Sequence, residues 1–409
     1  MREASDYVLI GGGLASAAAA QAIRTRDPER SIVIVGEEIH PPYERPPLSS
    51  DYLLSDEWTS EKAFLKPDGF YADKRIELRT GVKATAIDRV ARTVMLNTGD
   101  RVRYEKLLLA TGARARRLNG QGRDLAGVFV LRTLSDAEAL RRAILQSKRA
   151  VMVGAGYIGM EVASACAQRG IETTVVDRNN RPWSGFASPA LGGFLREYYE
   201  ARGVRFLLGD EVATFVGDGQ LAAVTTKSGE KIEADLAVVG IGAILNTELA
   251  REAGLEVDER HGVKVNAFLQ TADPHIWAAG DIAFFEDLAL DRQWHVEHFM
   301  NAEWQGDAAG AIMAGERKPY NKVAYFFSDL FDIHMCLRGA PSAGTQTVVL
   351  GDLPGAEFVE LSHDHAGRLQ MGVAITRDPS RLDPLADILE GLIRERANVQ
   401  ALSAAAFDL

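Results

Sequence analysis

Two short stretches carry the residue types best suited to chemistry. Gly11 and Gly13 are followed by Ser16, and Gly154 and Gly156 are followed by Gly159, all at G-x-G-x-x-G spacing. In that spacing the first glycine makes a tight strand-to-helix turn and the second lets the backbone approach a pyrophosphate. The third position needs only a small residue where helix and strand pack. Ser16 meets that need. Behind each turn, the first free N–H groups of a helix and its dipole favour an anion. Each motif has an acid at the end of its next strand: Glu37, 24 residues after Gly13, and Asp177, 21 residues after Gly156. A carboxylate there accepts from ribose hydroxyls and repels a 2′-phosphate, which favours NADH over NADPH. Arg178 and Arg181 stand close to Asp177 and read as solvated surface charges, leaving NADPH as the weaker alternative.

The elements that must hold these turns repeat the same grammar. Asp6–Glu38 and Arg149–Asn179 each run from an apolar strand through a glycine turn and an Ala-rich helix to a β-branched strand. Strand, helix and parallel strand, twice over, predict an α/β fold with two Rossmann-like nucleotide-binding modules. Phe70–Met95 reads as short strands and Tyr104–Ala113 as a buried strand ending in a turn. Further strands are expected between Gly203 and Gly242, and His275–Phe285 again runs from strand into glycine turn. From about Val323 the pattern changes to short strands and polar loops, closing on an amphipathic helix near Pro384–Ala397. That segment is expected to be a small C-terminal α+β domain.

Bulk properties narrow the function classes. The chain has 409 residues, 46% hydrophobic and 25% charged, and carries 46 basic against 57 acidic residues, a net −11. An acidic chain is a poor partner for nucleic acid. No apolar stretch approaches the ~18 residues of a membrane span. Tyr7–Ala20 has the small-residue texture of a signal peptide, but Glu3 and Asp6 spoil a basic leader and three glycines cut the run, so a cytoplasmic protein is expected. The two cysteines, Cys166 and Cys336, offer no disulfide framework, redox pair or metal-ligand spacing.

The ordered set GGGLAS (11–16), PYERPPLSSDYL (42–53), LLLATGARARRL (107–118), GAGYIGMEVA (154–163), VVGIGAILNTEL (238–249), WAAGDIA (277–283), VEHFMNA (296–302) and YFFSDLFD (325–332) resembles the FAD-dependent pyridine-nucleotide reductases. The resemblance is nearest to NADH-dependent ferredoxin reductases, apoptosis-inducing factor and monodehydroascorbate reductase. It implies an FAD domain of residues 1–113 and 246–322, an NAD domain of 114–245 inserted into it, and a C-terminal domain of 323–409. By the same resemblance Arg45 and Pro46 contact the FAD diphosphate and flavin edge. Arg114, after the turn Ala110, Thr111 and Gly112, helps hold the cofactor. Asp281 after Gly280 accepts from ribitol hydroxyls, with a following helix aimed at the flavin. Glu161 faces nicotinamide and flavin, Glu297 and His298 line the isoalloxazine pocket beside Phe299, and Phe327 lies at its far side. Gly242 belongs to the nucleotide cleft.

Three departures from the family pattern stand out. Ser50 occupies the position of a lysine that pairs with the glutamate in many relatives, so Glu161 is expected to lack a cationic partner and to titrate high. Phe299 and Phe327 stand where tryptophan is frequent, and the run Gly242–Thr247 lacks a usual basic residue and proline. Disulfide reductases of the superfamily carry redox cysteines where Pro41–Leu53 has none, so electrons are expected to leave from the flavin. The implied activity is hydride transfer from NADH to FAD and then single-electron transfer to a ferredoxin-like iron–sulfur carrier, with Arg114, Arg116 and Arg117 as part of a basic docking rim. A quinone, radical or dioxygen acceptor, or a slow NADH-sensing interaction module, is the alternative. A homodimer contact, if formed, is expected on the C-terminal domain.

Overall fold

The structure, a computed structural model, describes residues 3–340 and 345–409. The chain divides into two compact units. One comprises Met1–Glu44, Glu61–Arg114 and Ile244–Ala324, the other Arg45–Ser60, Ala115–Ala243 and Tyr325–Leu409.

In the first unit, β1 (Ala4–Ile10), β2 (Ile32–Val35), β3 (Ile76–Arg79), β4 (Ala84–Asp88), β5 (Thr93–Leu96) and β6 (Arg101–Leu109) form a sheet in the order 3-2-1-6-5-4. The strand Ile276–Ala278 adds to β6. The pairs β3–β2, β2–β1, β1–β6 and β6 with Ile276–Ala278 are parallel, and β5 and β4 continue antiparallel. Val8, Leu9, Ile10 and all four residues of β2 are buried, the continuous apolar run of strands covered on both faces. Helix α1 (Leu14–Arg26) is almost entirely small on its packed side because a second helix, Phe299–Met313, lies against it. A Cβ on Gly306 would fall 2.3 Å from the Ala15 carbonyl oxygen, and one on Gly310 2.3 Å from that of Ala19. Gly310→Ala is therefore expected to lower stability by roughly 1–3 kcal/mol, against a helix-propensity gain of about 1 kcal/mol. Urea unfolding reads this directly, and a raised midpoint would mean the helices have room to spare.

In the second unit, β7 (Val128–Phe129), β8 (Arg149–Val153), β9 (Glu172–Asp177), β10 (Val204–Leu208) and β11 (Leu236–Val239) form an all-parallel sheet in the order 10-9-8-11-7. Helix α2 (Tyr157–Gln168) connects β8 to β9, and α3 (Pro189–Glu200) precedes β10. The C-terminal segment folds as an antiparallel sheet of β12 (Tyr325–Leu330), β13 (Ile333–Gly339), β14 (Gln346–Asp352), β15 (Glu357–His363) and β16 (Leu369–Thr376) in the order 12-13-16-15-14. Helix α4 (Leu382–Arg394) packs on β13 and β16. Ser188, the N-cap of α3, hydrogen-bonds through hydroxyl and backbone to the fully buried Glu360 of β15, tying the C-terminal sheet to that helix.

One expectation fails here. No helix follows Asp281: Gly280–Ile282 is a single 3₁₀ turn, and the chain runs on as the strand Ala283–Asp287. The run AFFED carries two phenylalanines and suits a pleated, half-buried surface better than a helix. Among the described residues, no helix is long and apolar enough to cross a membrane.

Candidate functional site

In the first unit the predicted residues gather where β1, β6 and Ile276–Ala278 end together. The Gly11 N–H bonds the Val35 carbonyl, the Ala110 N–H bonds that of Ile10, and the Ala279 N–H bonds that of Leu109. Gly11 has φ +122°, and a Cβ there would lie 2.0 Å from the Ala110 carbonyl oxygen, so only glycine lets the two turns touch. In front of Gly13 nothing lies within 4 Å of where a Cβ would stand. Gly280 donates its N–H to Gln305 Oε1 at 2.9 Å, which leaves Gln305 Nε2 buried without a partner, and the Ser16 hydroxyl is likewise buried and unpartnered. Carboxyl ends of adjacent parallel strands, an open glycine and orphaned polar atoms fit a dinucleotide diphosphate.

The remaining residues of this unit hold other contacts. Thr111 and Gly112 are tied to Asn246, which bonds the Thr111 carbonyl and accepts the Thr111 hydroxyl through its own carbonyl at 2.6 Å. Arg114 donates to Asn246 Oδ1 at 2.6 Å and pairs with Glu248 at 2.8 Å, so its charge is largely met within the unit. Glu37 is exposed and pairs with Lys83 at 3.1 Å. Asp281 is buried in its turn. His298 is the N-cap residue of the helix that Phe299 opens. Glu297 pairs with His295 at 3.1 Å, whose other ring nitrogen lies 3.1 Å from His261.

In the second unit the glycine turn again sits at a sheet's carboxyl end. A Cβ on Gly159 would lie 1.9 Å from the Gly154 carbonyl oxygen, so the third glycine fixes how closely α2 seats on its turn. Asp177 accepts the Ala155 N–H on Oδ2 at 2.7 Å, and the Asn179 backbone N–H and side-chain amide on Oδ1 at 2.7 and 2.9 Å, leaving acceptor capacity on Oδ2. The Trp183 N–H bonds the Ala155 carbonyl, while its indole N–H is buried and unpartnered beside the loop. Arg181 turns its guanidinium to the Ala187 carbonyl. Gly242 accepts the Arg116 N–H just beyond β11, with open space at its Cα.

The same unit holds Glu161, one turn into α2 and half-buried. Ser49 donates its hydroxyl to Glu161 Oε2 and Ser328 donates its own to Oε1, each at 2.5 Å. Burial pushes the carboxyl up to about 7, with Asp329 adding to the rise and the two hydroxyls opposing it. Ser50 does not reach it. Its hydroxyl turns to the Pro46 carbonyl at 3.4 Å, and Arg45 donates to the carbonyl of Arg132. Phe327 is on the strand face shared with Tyr325, whereas Phe326 stacks on Tyr157 at 5.9 Å. Period-two alternation in YFFSDL already groups Phe326 with Ser328, which is the signal that would have found Ser328. Asn246 and Gln305 carried no comparable signal, because each acts through a chain segment distant in sequence.

The family model for pyridine nucleotide-disulphide oxidoreductases matches residues 5–306. The chain is 36% identical over 375 residues to the ferredoxin–NAD(+) reductase component of the anthranilate 1,2-dioxygenase system of Burkholderia cepacia, covering 91% of each chain. It is 34% identical to putidaredoxin reductase of Pseudomonas putida, covering 88% of this chain and 86% of that one. Among solved structures, the ferredoxin reductase for the CYP199A2 system of Rhodopseudomonas palustris superposes with a TM-score of 0.86 at 33% identity, covering 90% and 91%. The covalent putidaredoxin reductase–putidaredoxin complex superposes with a TM-score of 0.89 at 32% identity, covering 95% and 93%. With two glycine turns, each at the carboxyl ends of parallel strands in its own sheet, and a match running through both, the chain belongs to the pyridine nucleotide-disulphide oxidoreductase family.

Proposed function

We propose that the protein is an NADH-dependent FAD reductase that passes electrons to a ferredoxin-type iron–sulfur carrier. The observation that carries this reading is the pair of glycine turns, each opening at a sheet's carboxyl end, in a chain similar along most of its length to reductases named for such carriers. The first turn, with Gly11, Gly13, Ser16, Ala110–Gly112, Gly280 and Asp281, would hold the FAD; the second, with Gly154, Gly156, Gly159, Asp177 and Gly242, would hold the pyridine nucleotide. Bound FAD supplies the ability to take two electrons at once and release them singly. The chain's own part is to hold and orient both nucleotides and to manage a proton at Glu161.

No protein thiol stands in the electron path by this reading. Pro41–Leu53 lacks cysteine, and Cys166 and Cys336 are free and buried, which suits a reducing cytoplasm. Asp177 disfavours a 2′-phosphate, so NADH is the expected donor. For the carrier's docking rim, Arg116 and Arg117 are exposed, whereas Arg114 is spent on Glu248.

NADH oxidation by the purified yellow holoenzyme, assayed with a ferredoxin-type carrier, a quinone and dioxygen in turn, tests the reading. The iron–sulfur carrier is expected to support the fastest turnover, falling steeply as ionic strength rises from 0.01 to 0.5 M on the order expected for screened charges. Turnover with quinone or dioxygen alone would move the protein to a different acceptor class. A preparation that stays colourless after reconstitution with FAD would remove the reading altogether.

A further inference from the structure

The hydrogen bonds around Glu161 are complete in more than one protonation state. Ser49 and Ser328 are buried, Glu161 is half-buried between them, and no salt bridge reaches the carboxyl among the described residues. The titratable groups that face it are Tyr157 on its own helix, Tyr199 from α3 and Asp329 from β12. Both tyrosines are pushed above their ordinary range by burial and by the carboxylate itself. None is cationic, so the ionised carboxyl rests on two hydroxyls.

Those hydroxyls are not equivalent. Ser49 Oγ lies 3.3 Å from the Pro46 carbonyl oxygen as well as 2.5 Å from Glu161, while the hydrogen bond of Ser328 Oγ goes to Glu161. A hydroxyl donates once and accepts twice, which a lysine ammonium cannot do. When Glu161 is ionised, both serines donate to it. When Glu161 carries a proton on Oε2, Ser49 turns its hydrogen to Pro46 and accepts the carboxyl O–H, while Ser328 goes on donating to Oε1. Each state has a full set of partners, and the exchange needs only a rotation about one C–O bond.

We propose that Ser49 and Ser328 are positioning residues that make Glu161 the proton-holding group of the reductase, with the Ser49 hydroxyl switching between Glu161 and Pro46 as the proton comes and goes. This rests on the function proposed above, whose balance is NADH + 2 oxidised carriers → NAD⁺ + H⁺ + 2 reduced carriers. In that balance the transferable C–H bond of NADH breaks, its electron pair ends on the two carriers, and one proton is left over. Glu161 takes that proton on Oε2, forming an O–H bond, and releases it to water as the carboxylate re-forms.

Infrared difference titration of the holoenzyme between pH 5 and 9 reads the C=O stretch of a protonated carboxyl without turnover, and Glu161→Gln assigns the band. The band is expected to disappear with rising pH, with its midpoint near neutrality. Ser328→Ala removes a donor that serves the ionised form more than the neutral one, and should raise that midpoint by roughly one pH unit. Ser49→Ala takes a partner from both forms and should move it less, and Ser49→Thr should restore the wild-type value. The pH profile of flavin bleaching by NADH should shift in the same order. A midpoint unmoved by Ser328→Ala, or a carboxyl ionised throughout the range in the wild type, overturns the proposal. Retained flavin absorbance checks that each variant is folded, and should Ser328→Ala lose its flavin, equal midpoints in Ser49→Ala and the wild type would overturn it instead. Wild-type protein that oxidises no NADH with any carrier would sink the reductase reading rather than the switch.

Discussion

Gly159→Ala is expected to cut kcat/KM for NADH at least 100-fold while leaving FAD bound. The added methyl would sit 1.9 Å from the Gly154 carbonyl oxygen, far inside van der Waals contact, and the opposing atom is backbone that cannot swing aside. Relief requires α2 to lift off the turn between β8 and Tyr157. That would move the N–H groups at the helix start away from the phosphates of the nucleotide proposed to bind there. A 100-fold loss corresponds to about 2.7 kcal/mol of lost transition-state stabilisation, a modest demand for a misplaced anion site. Calorimetric titration with NAD⁺ separates this from a general folding defect, since the proposed function assigns the flavin to the other glycine turn. Unchanged NAD⁺ affinity in a yellow, folded variant would mean that the second turn is not where the nucleotide binds.

Glu161→Gln should stabilise the protein in alkaline but not in acidic solution. The sign follows from the direction of the shift. The folded-state carboxyl titrates near 7 against an ordinary 4.5, so the native state binds this proton more tightly than the unfolded chain. Its contribution is most favourable below the unfolded value, declines as pH rises from 4.5 through 7, and is flat above. Over that interval the wild type loses about 3 kcal/mol from this one group, to order of magnitude. A glutamine of the same shape loses nothing on titration. It still offers Ser49 and Ser328 hydrogen-bonding atoms, and Ser49 retains the Pro46 carbonyl. Urea unfolding of both proteins at pH 5 and pH 8 is the measurement. The variant should gain on the wild type between the two, and an equal difference at both would show that Glu161 does not titrate in this window.

Much of this was written locally. The repeated strand–turn–helix–strand units, the glycines at their turns and the acids at their strand ends follow from period and spacing. A parallel strand buried on both faces reads as an unbroken apolar run, and a turn with positive φ reads as glycine. The C-terminal change from helix-connected strands to an antiparallel sheet with one amphipathic helix was visible for the same reason. The helix that the family resemblance implied after Asp281 is replaced by a single 3₁₀ turn, and Ala283–Asp287 goes on as a strand.

What a residue meets across the fold was a different matter. Ser50 is aligned with a lysine position, yet a 3₁₀ turn at Pro46–Ser49 gives the contact with Glu161 to its neighbour Ser49, since one residue of rotation in a tight turn redirects a side chain completely. Arg114 was legible as a cation near the first turn, but not as one already bound by Asn246 and Glu248, more than 130 positions away in sequence. Sequence alone determined the repeating units, their turns and the class of ligand that such turns bind, because those depend on backbone geometry within a few residues. Tertiary structure alone decided which hydroxyls reach the Glu161 carboxylate and which charges are already paired, because burial and hydrogen-bond partners arise only when distant segments close on one another.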